Sequence, residues 1–292
     1  MLVACVQSDV TFANIDDNIK RVSRWLEIAS DSGAKLAVFP ECMLSGYAYD
    51  ARESALPHAI QLNDPRFDSL IELAVRHELH FTLGFLEKTQ TQLFNASALI
   101  GPSGVVGHYR KTHLPHLGID RFVDRGDLGY PIYEAPHESD EAKIGLAICY
   151  DSSFPEPMRA LALKGADIIA LGTNWPIGAS RTAAVVPPAR SMENHLFFLA
   201  ANRVGEENGF GFCGCSSICG PDGLVLASTQ SDQETILTAE IDLEIARNKR
   251  IERVPGKHVI HRFNDRCPSL YHDLIAPVST SQTESETAQD QE

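Results

Sequence analysis

Lys143-Ile144-Gly145-Leu146-Ala147-Ile148-Cys149-Tyr150-Asp151-Ser152-Ser153-Phe154-Pro155-Glu156 reads as an apolar strand that runs directly into a cysteine and then a turn. A helix is predicted to begin near Pro155, because proline is tolerated in the first turn. It should run through Met158, Leu161 and Leu163 and stop at Gly165. The next strand is Asp167 to Leu171. The start of the chain repeats this alternation. Leu2 to Val10 is a short buried strand, and Asn14 is a helix N-cap followed by acids in the first turn. Ile15, Ile19, Val22, Trp25, Leu26 and Ala29 keep helical spacing, Gly33 stops the helix, and Lys35 to Phe39 is the following strand, ending at Pro40-Glu41. Strand, helix, strand units of this kind place their chemistry at strand ends.

Between these units the pattern changes to successive strands at His80 to Leu86, Phe94 to Ile100 and Val105 to Tyr109, the last two joined by the turn Gly101-Pro102-Ser103-Gly104. Further on, Pro187 to His195 is predicted helical and Leu196 to Asn202 a strand. Phe210 to Ile218 and Leu224 to Ser228 should form a hairpin around Pro221-Asp222-Gly223. Mixed strands with helices between them imply layered α/β packing. One domain over residues 1–275 is expected, with an acidic, disordered tail over 276–292, since that stretch is rich in Ser, Thr and Gln and carries no basic residue.

Composition narrows the function classes. The 292 residues are 43% hydrophobic and 22% charged, which suits a globular enzyme with a sizeable core. The formal net charge of −14 and the lack of a basic stripe argue against nucleic acid as a partner. No apolar run is long enough to span a bilayer, and the start lacks the basic region and cleavage site of a signal peptide. Seven cysteines without a disulfide framework point to a reducing cytoplasm, where a thiol is free to react.

Glu41, Lys111 and Cys149 each stand where a strand-like segment ends. Taken singly, each has an ordinary explanation: a solvated acid, a surface charge, an inert core thiol. Together with their surroundings they resemble the nitrilase superfamily of carbon–nitrogen hydrolases, in the same order along nearly the whole chain. The matching segments are Phe39-Pro40-Glu41 with Gly46-Tyr47, Phe94-Asn95, Tyr109-Arg110-Lys111-Thr112-His113-Leu114, and Gly145 through Glu156. They continue with Thr173-Asn174-Trp175-Pro176, Arg190-Ser191-Met192-Glu193-Asn194, Ala201-Asn202-Arg203-Val204-Gly205, Pro221-Asp222-Gly223 and Arg266-Cys267-Pro268-Ser269-Leu270-Tyr271.

The resemblance implies a four-layer α-β-β-α sandwich with two mixed sheets facing each other. It also implies a Glu-Lys-Cys triad in which Cys149 is the nucleophile, Glu41 the proton acceptor and donor, and Lys111 the cation beside the oxyanion, aided by the Tyr150 N–H. The expected reaction is hydrolysis of a small linear amide or carbamoyl compound through a thioester, with no cofactor. The alternatives are a silent binding protein of the same fold and an acyl-transferring relative. The implied assembly is a homodimer or larger even oligomer, with Leu270-Tyr271 helping to make the contact. The family's second glutamate falls on Ile119 by ungapped alignment. Either Asp120, one place away, supplies a carboxylate that helps hold Lys111 charged, or the chain lacks that group. Tyr47, Asn174 and Trp175 are candidates for the pocket wall.

Other residues carry weaker signals. His113 and His116 are three apart but lack further ligands nearby, so no metal is expected. Cys213 and Cys215 are read as small residues sharing one face of a core strand. Cys42 is expected to point away from Glu41, as alternate strand residues do. Arg190 and Glu193 are read as an ion pair on a helix. Ser152 and Ser153 stand where some relatives place a carboxylate-gripping arginine, which argues against an acidic substrate; Arg159 is the nearest substitute.

Overall fold

In the computed structural model, residues 1–137 and 140–277 are described, so most of the expected tail lies outside the described residues. The chain divides into two compact units, Met1–Lys249 and Arg250–Glu292.

The first unit opens with strand β1 (Leu2–Gln7) and helix α1 (Ile15–Asp31). The Asn14 side chain accepts from the Asp17 N–H at 3.2 Å, the capping bond its sequence position implies. Val22, Trp25, Leu26 and Ala29 bury one face of α1. Strand β2 (Leu36–Val38) follows, then the short helix α2 (Arg52–Ala55), helix α3 (Arg66–His77), and strands β3 (His80–Lys88), β4 (Leu93–Gly101) and β5 (Gly104–Arg110). The second half supplies β6 (Ile132–His137), β7 (Asp140–Ile148), helix α4 (Pro155–Leu163), β8 (Ile168–Thr173), helix α5 (Ser180–Asn194) and β9 (Phe197–Asn202). A two-strand ribbon, β10 (Glu206–Glu207) and β11 (Phe210–Gly211), precedes β12 (Ser217–Cys219), β13 (Val225–Ser228), β14 (Thr235–Glu240) and helix α6 (Leu243–Arg247). The second unit holds the antiparallel hairpin β15 (Arg250–Val254) and β16 (His258–His261), followed by short 3-10 turns.

Two six-stranded sheets result, ordered β14-β1-β2-β3-β4-β5 and β13-β12-β9-β8-β7-β6. Each has a parallel centre, β1-β2-β3 in one and β7-β8-β9 in the other, with antiparallel strands outside it. The sheets face each other beneath outer helices, which is the expected four-layer sandwich. The central strands are buried on both faces, so they read as continuous apolar runs. Val22, Leu26, Phe67, Leu70, Phe81 and Phe85 form the core between the first sheet and helices α1 and α3.

Two expectations change. Helix α5 begins at Ser180, one and a half turns or more before Pro187, and carries Pro187 and Pro188 in its interior. Proline at these places resembles a helix start because its fixed φ suits the helix, although its missing N–H removes a hydrogen bond there. Phe210 to Ile218 is not one strand: Gly214 and Cys215 have φ of 60° and 58°, and this left-handed turn separates β11 from β12. Cys213 and Cys215 therefore lie in a loop, half-buried, rather than on one face of a core strand.

Candidate active site

Backbone placement begins with two glycines, one from each sheet. A Cβ on Gly84 of β3 would lie 2.5 Å from the Pro40 carbonyl oxygen, and one on Gly172 of β8 would lie 2.7 Å from that of Phe39. The segment after β2 uses this space to pass close to both sheets, and it delivers Glu41 to a fully enclosed position. Lys111, the residue after β5, is equally buried, and its Nζ lies 2.7 Å from Glu41 Oε1. On its other side Nζ meets Asp120 Oδ2 at 2.5 Å. Asp120 sits in the 3-10 turn Gly118–Arg121, where its neighbour Ile119 packs into an apolar cluster with Tyr49, Leu86 and Phe212. The carboxylate facing the lysine thus belongs to Asp120, and Ile119 is a packing residue.

Two polar side chains complete this cluster. Asn95 of β4 donates from Nδ2 to Glu41 Oε1 at 2.7 Å and to Asp120 Oδ1 at 2.9 Å. The Tyr47 hydroxyl lies 2.8 Å from Asp120 Oδ2, so its polar tip is engaged with the carboxylate. Glu207 in turn accepts the Tyr47 and Ala48 N–H groups at 2.8 and 3.1 Å, and it is paired with the buried Arg203. Asn95, Arg203 and Glu207 were not singled out from sequence as site residues. The first two lie in matching segments, Phe94-Asn95 and Ala201-Asn202-Arg203-Val204-Gly205, whereas Glu207 has no such signal.

Cys149 stands at the end of β7, as the first residue of the 3-10 turn Cys149–Ser153, with φ of 45°. A non-glycine residue there carries strain of about 1–2 kcal/mol, and the surrounding bonds hold it. Asp151 accepts the Ile148 N–H at 3.0 Å and the Tyr109 hydroxyl at 2.9 Å through one oxygen. Its other oxygen takes the His113 N–H at 3.1 Å and lies 2.8 Å from His113 Nδ1. One carboxylate therefore ties the cysteine turn to the segment that carries Lys111. Arg190 donates to the Ser152 and Ser153 carbonyls at 2.9 and 3.0 Å while pairing with Glu193 at 3.0 Å. The expected ion pair is present and also braces this turn.

The remaining candidates differ in setting. The Asn174 side chain is buried, and neither its Nδ2 nor its Oδ1 has a partner among the described residues. Trp175 is buried, with its N–H donated to Asn202 Oδ1 at 2.8 Å. Tyr150 is partly exposed and meets Phe154 edge-on, 5.1 Å between ring centres. Cys42 lies in a turn with φ of 50°, so strand alternation does not apply to it; its thiol donates to Asn95 Oδ1 at 3.5 Å. His113 is held by Asp151, and among the described residues no group of three or more His, Cys, Asp or Glu is placed to hold a metal.

The carbon-nitrogen hydrolase family model matches residues 2–251. The chain belongs to that family. As a carbon–nitrogen hydrolase it is 36% identical over 250 residues to a nitrilase of Pyrococcus abyssi, covering 85% of this chain and 92% of that one. It is 33% identical over 233 residues to an (R)-stereoselective amidase of a Pseudomonas species, covering 78% and 81%. Its fold matches the crystal structure of an amidase from Nesterenkonia sp. with a TM-score of 0.78 at 22% identity, over 94% of this chain and 96% of that one.

Electrostatics in this hydrolase follow from burial opposed by pairing. Burial raises the Glu41 carboxyl above the ordinary glutamate range; Lys111 opposes this, and Asp120 adds to it. Burial pulls the Lys111 ammonium down, but Asp120, Glu41 and Cys149 together outweigh burial and hold it well above the usual lysine range. The Cys149 thiol is pushed up to about 12 by burial and by Glu41, against the opposing effects of Lys111, the Thr173 hydroxyl and the Asn174 N–H. At neutral pH the cysteine is therefore a thiol, and the lysine within its electrostatic reach an ammonium.

Proposed function

We propose that this hydrolase cleaves the C–N bond of a small linear amide or carbamoyl compound through a thioester on Cys149. The observation that carries the reading is the enclosed Glu41–Lys111–Asp120 cluster within electrostatic reach of a protonated thiol, with Glu41 Oε2 unpartnered among the described residues. A thiol raised to about 12 is a poor nucleophile until its proton leaves. Glu41 takes that proton as Sγ bonds to the carbonyl carbon. Lys111 and the Tyr150 N–H stabilise the oxyanion, and Asp120 keeps the lysine charged as the negative charge develops. Glu41 then protonates the leaving nitrogen, the C–N bond breaks, and the amine departs. Water, losing a proton to Glu41, adds to the thioester carbon; the C–S bond then breaks, the acid leaves, and Sγ takes back its proton from Glu41.

A substrate without a carboxylate near the nucleophile fits the surroundings best. Arg190 is engaged with the Ser152 and Ser153 carbonyls, and Arg159 with the Glu193 carbonyl at 2.6 Å. An N-carbamoylputrescine amidase of Arabidopsis thaliana, 29% identical over 300 residues, supports keeping carbamoyl compounds beside simple amides. Asn174, Trp175 and Tyr47 are assigned to the pocket wall.

The hydrolase domain is taken as residues 1–275. Exposed Leu270, Leu274 and Ile275 support assembly as a homodimer or larger even oligomer, and a stable monomer in light scattering would count against it. Free cysteines throughout support a cytoplasmic setting. The reaction is tested by screening small amides and N-carbamoyl compounds for ammonia release beside Cys149→Ala. Release by the wild type alone supports the reading; equal release by both removes Cys149 from the mechanism.

A further inference from the structure

We infer that Asn95 is a positioning residue that holds Glu41 as the working base, clamping Glu41 to Asp120 through one amide group and leaving Glu41 Oε2 free for the thiol proton. This rests on the assignment of Glu41 as base. Glu41 Oε1 receives two donors, Lys111 Nζ at 2.7 Å and Asn95 Nδ2 at 2.7 Å. Its other oxygen receives none among the described residues. The two oxygens of one carboxylate are thereby made unequal: one is an anchor and the other is available to accept a proton.

The same amide spans to Asp120 Oδ1 at 2.9 Å, so its two hydrogens serve two carboxylates. Side by side in an enclosed site, these carboxylates would repel one another; Asn95 and Lys111 lie between them and offset that repulsion. The bridge works only if the amide turns its NH₂ toward the acids. The reverse orientation would set its oxygen against two acceptors. Cys42 favours the working orientation from the far side, its thiol donating to Asn95 Oδ1 at 3.5 Å. Burial, Glu41 and Asp120 all push the Cys42 thiol well above its ordinary range, so it remains a protonated donor. The path of influence runs from Cys42 through Asn95 to Glu41.

Charged and titratable groups facing Glu41 are Lys111, Asp120, Cys149 and Cys42, with the Tyr47 phenol beside Asp120. Lys111 and Asn95 favour the carboxylate form of Glu41, whereas burial and Asp120 favour the acid. Removing the Asn95 amide therefore moves the titration of Glu41 to higher pH. A residue that merely fills space would not do this.

Alkylation of Cys149 by iodoacetamide, followed by mass spectrometry of the Cys149 peptide, reads this titration without a natural substrate. In that step Sγ bonds to the reagent's methylene carbon, iodide leaves, and the thiol proton passes to Glu41. The rate in the wild-type chain should rise with pH through an inflection that Glu41→Gln removes. Asn95→Ala should move the inflection up by about one pH unit and slow labelling about tenfold below it. Cys42→Ala should move it in the same direction by less, and Cys42→Ser, whose hydroxyl can still donate, should return it toward the wild-type position. An inflection that Glu41→Gln abolishes but that neither Asn95→Ala nor Cys42→Ala displaces overturns the role of Asn95 alone. An inflection that survives in Glu41→Gln overturns the base assignment and the role of Asn95 with it.

Discussion

On the first-sheet wall of the site, Glu41, Asn95, Lys111 and Asp120 are bonded to one another at 2.5 to 2.9 Å, with only Glu41 Oε2 left without a partner among the described residues of this group. On the second-sheet wall, Cys149 sits at a left-handed backbone position, and both polar atoms of Asn174 lack partners among the described residues. The first wall is a finished charge network whose geometry is set before any substrate arrives. The second holds a strained nucleophile and unused hydrogen-bonding capacity. In the proposed mechanism the two sides have separate duties: the first holds charge and moves protons, and the second supplies the thiol. Substitutions on the first wall should therefore cost stability as well as rate, and those on the second should cost rate with little loss of stability.

Cys149→Ala tests the second wall most severely. Ammonia release should fall by at least about three orders of magnitude, with the thermal midpoint unchanged or raised as the strained position loses its buried thiol. A parallel fall in stability would break the contrast. Lys111→Met tests the first wall. It leaves Glu41 and Asp120 buried without their cation, so chemical denaturation should show a loss of about 3–5 kcal/mol, together with the loss of turnover. A stable, inactive Lys111→Met enzyme would show that the network is less constrained than its geometry implies.

Asp120→Asn keeps the shape but removes a charge. A charge-assisted bond worth about 1.5–3 kcal/mol predicts a fall in kcat of roughly ten- to a hundredfold, measured at saturating amide. The pH profile gives a further test. Glu41 must be ionised to act as base, and its carboxyl is raised above the ordinary range by burial. Accordingly kcat/KM should climb as pH rises through an acid limb placed above about 4.3, the ordinary glutamate value. A limb at or below that value would contradict the burial argument. The smallest effect is expected for Asn174→Ala, with kcat/KM reduced about tenfold and stability little altered in a thermal melt, since its amide has no hydrogen bond to lose among the described residues.

Much of the fold was legible because apolar runs and helical spacing record burial locally. The α1 cap at Asn14, the strand into Cys149 and the helix from Pro155 all follow from neighbours in sequence. Where local signals compete, the reading failed. Pro187 and Pro188 look like a helix start because a fixed φ suits both a first turn and an interior turn. Left-handed positions at Cys42, Cys149 and Cys215 have no residue signature, since glycine does not mark them. Strand β14 pairs with β1 across more than two hundred residues, a contact that local pattern does not encode.

By itself the sequence determined the family and the order of its motifs, and through them the candidate residues Glu41, Lys111 and Cys149. Tertiary structure alone decided how those residues are supported. It placed Asp120 rather than Ile119 against the lysine, turned Asn95 into a bridge between two carboxylates, and used Asp151 to join the cysteine turn to the Lys111 segment. The physical reason is range. Helix caps and apolar periodicity act over a few residues, whereas the charge balance of a buried site is set by groups from distant strands, brought within hydrogen-bonding distance only when the sheets pack.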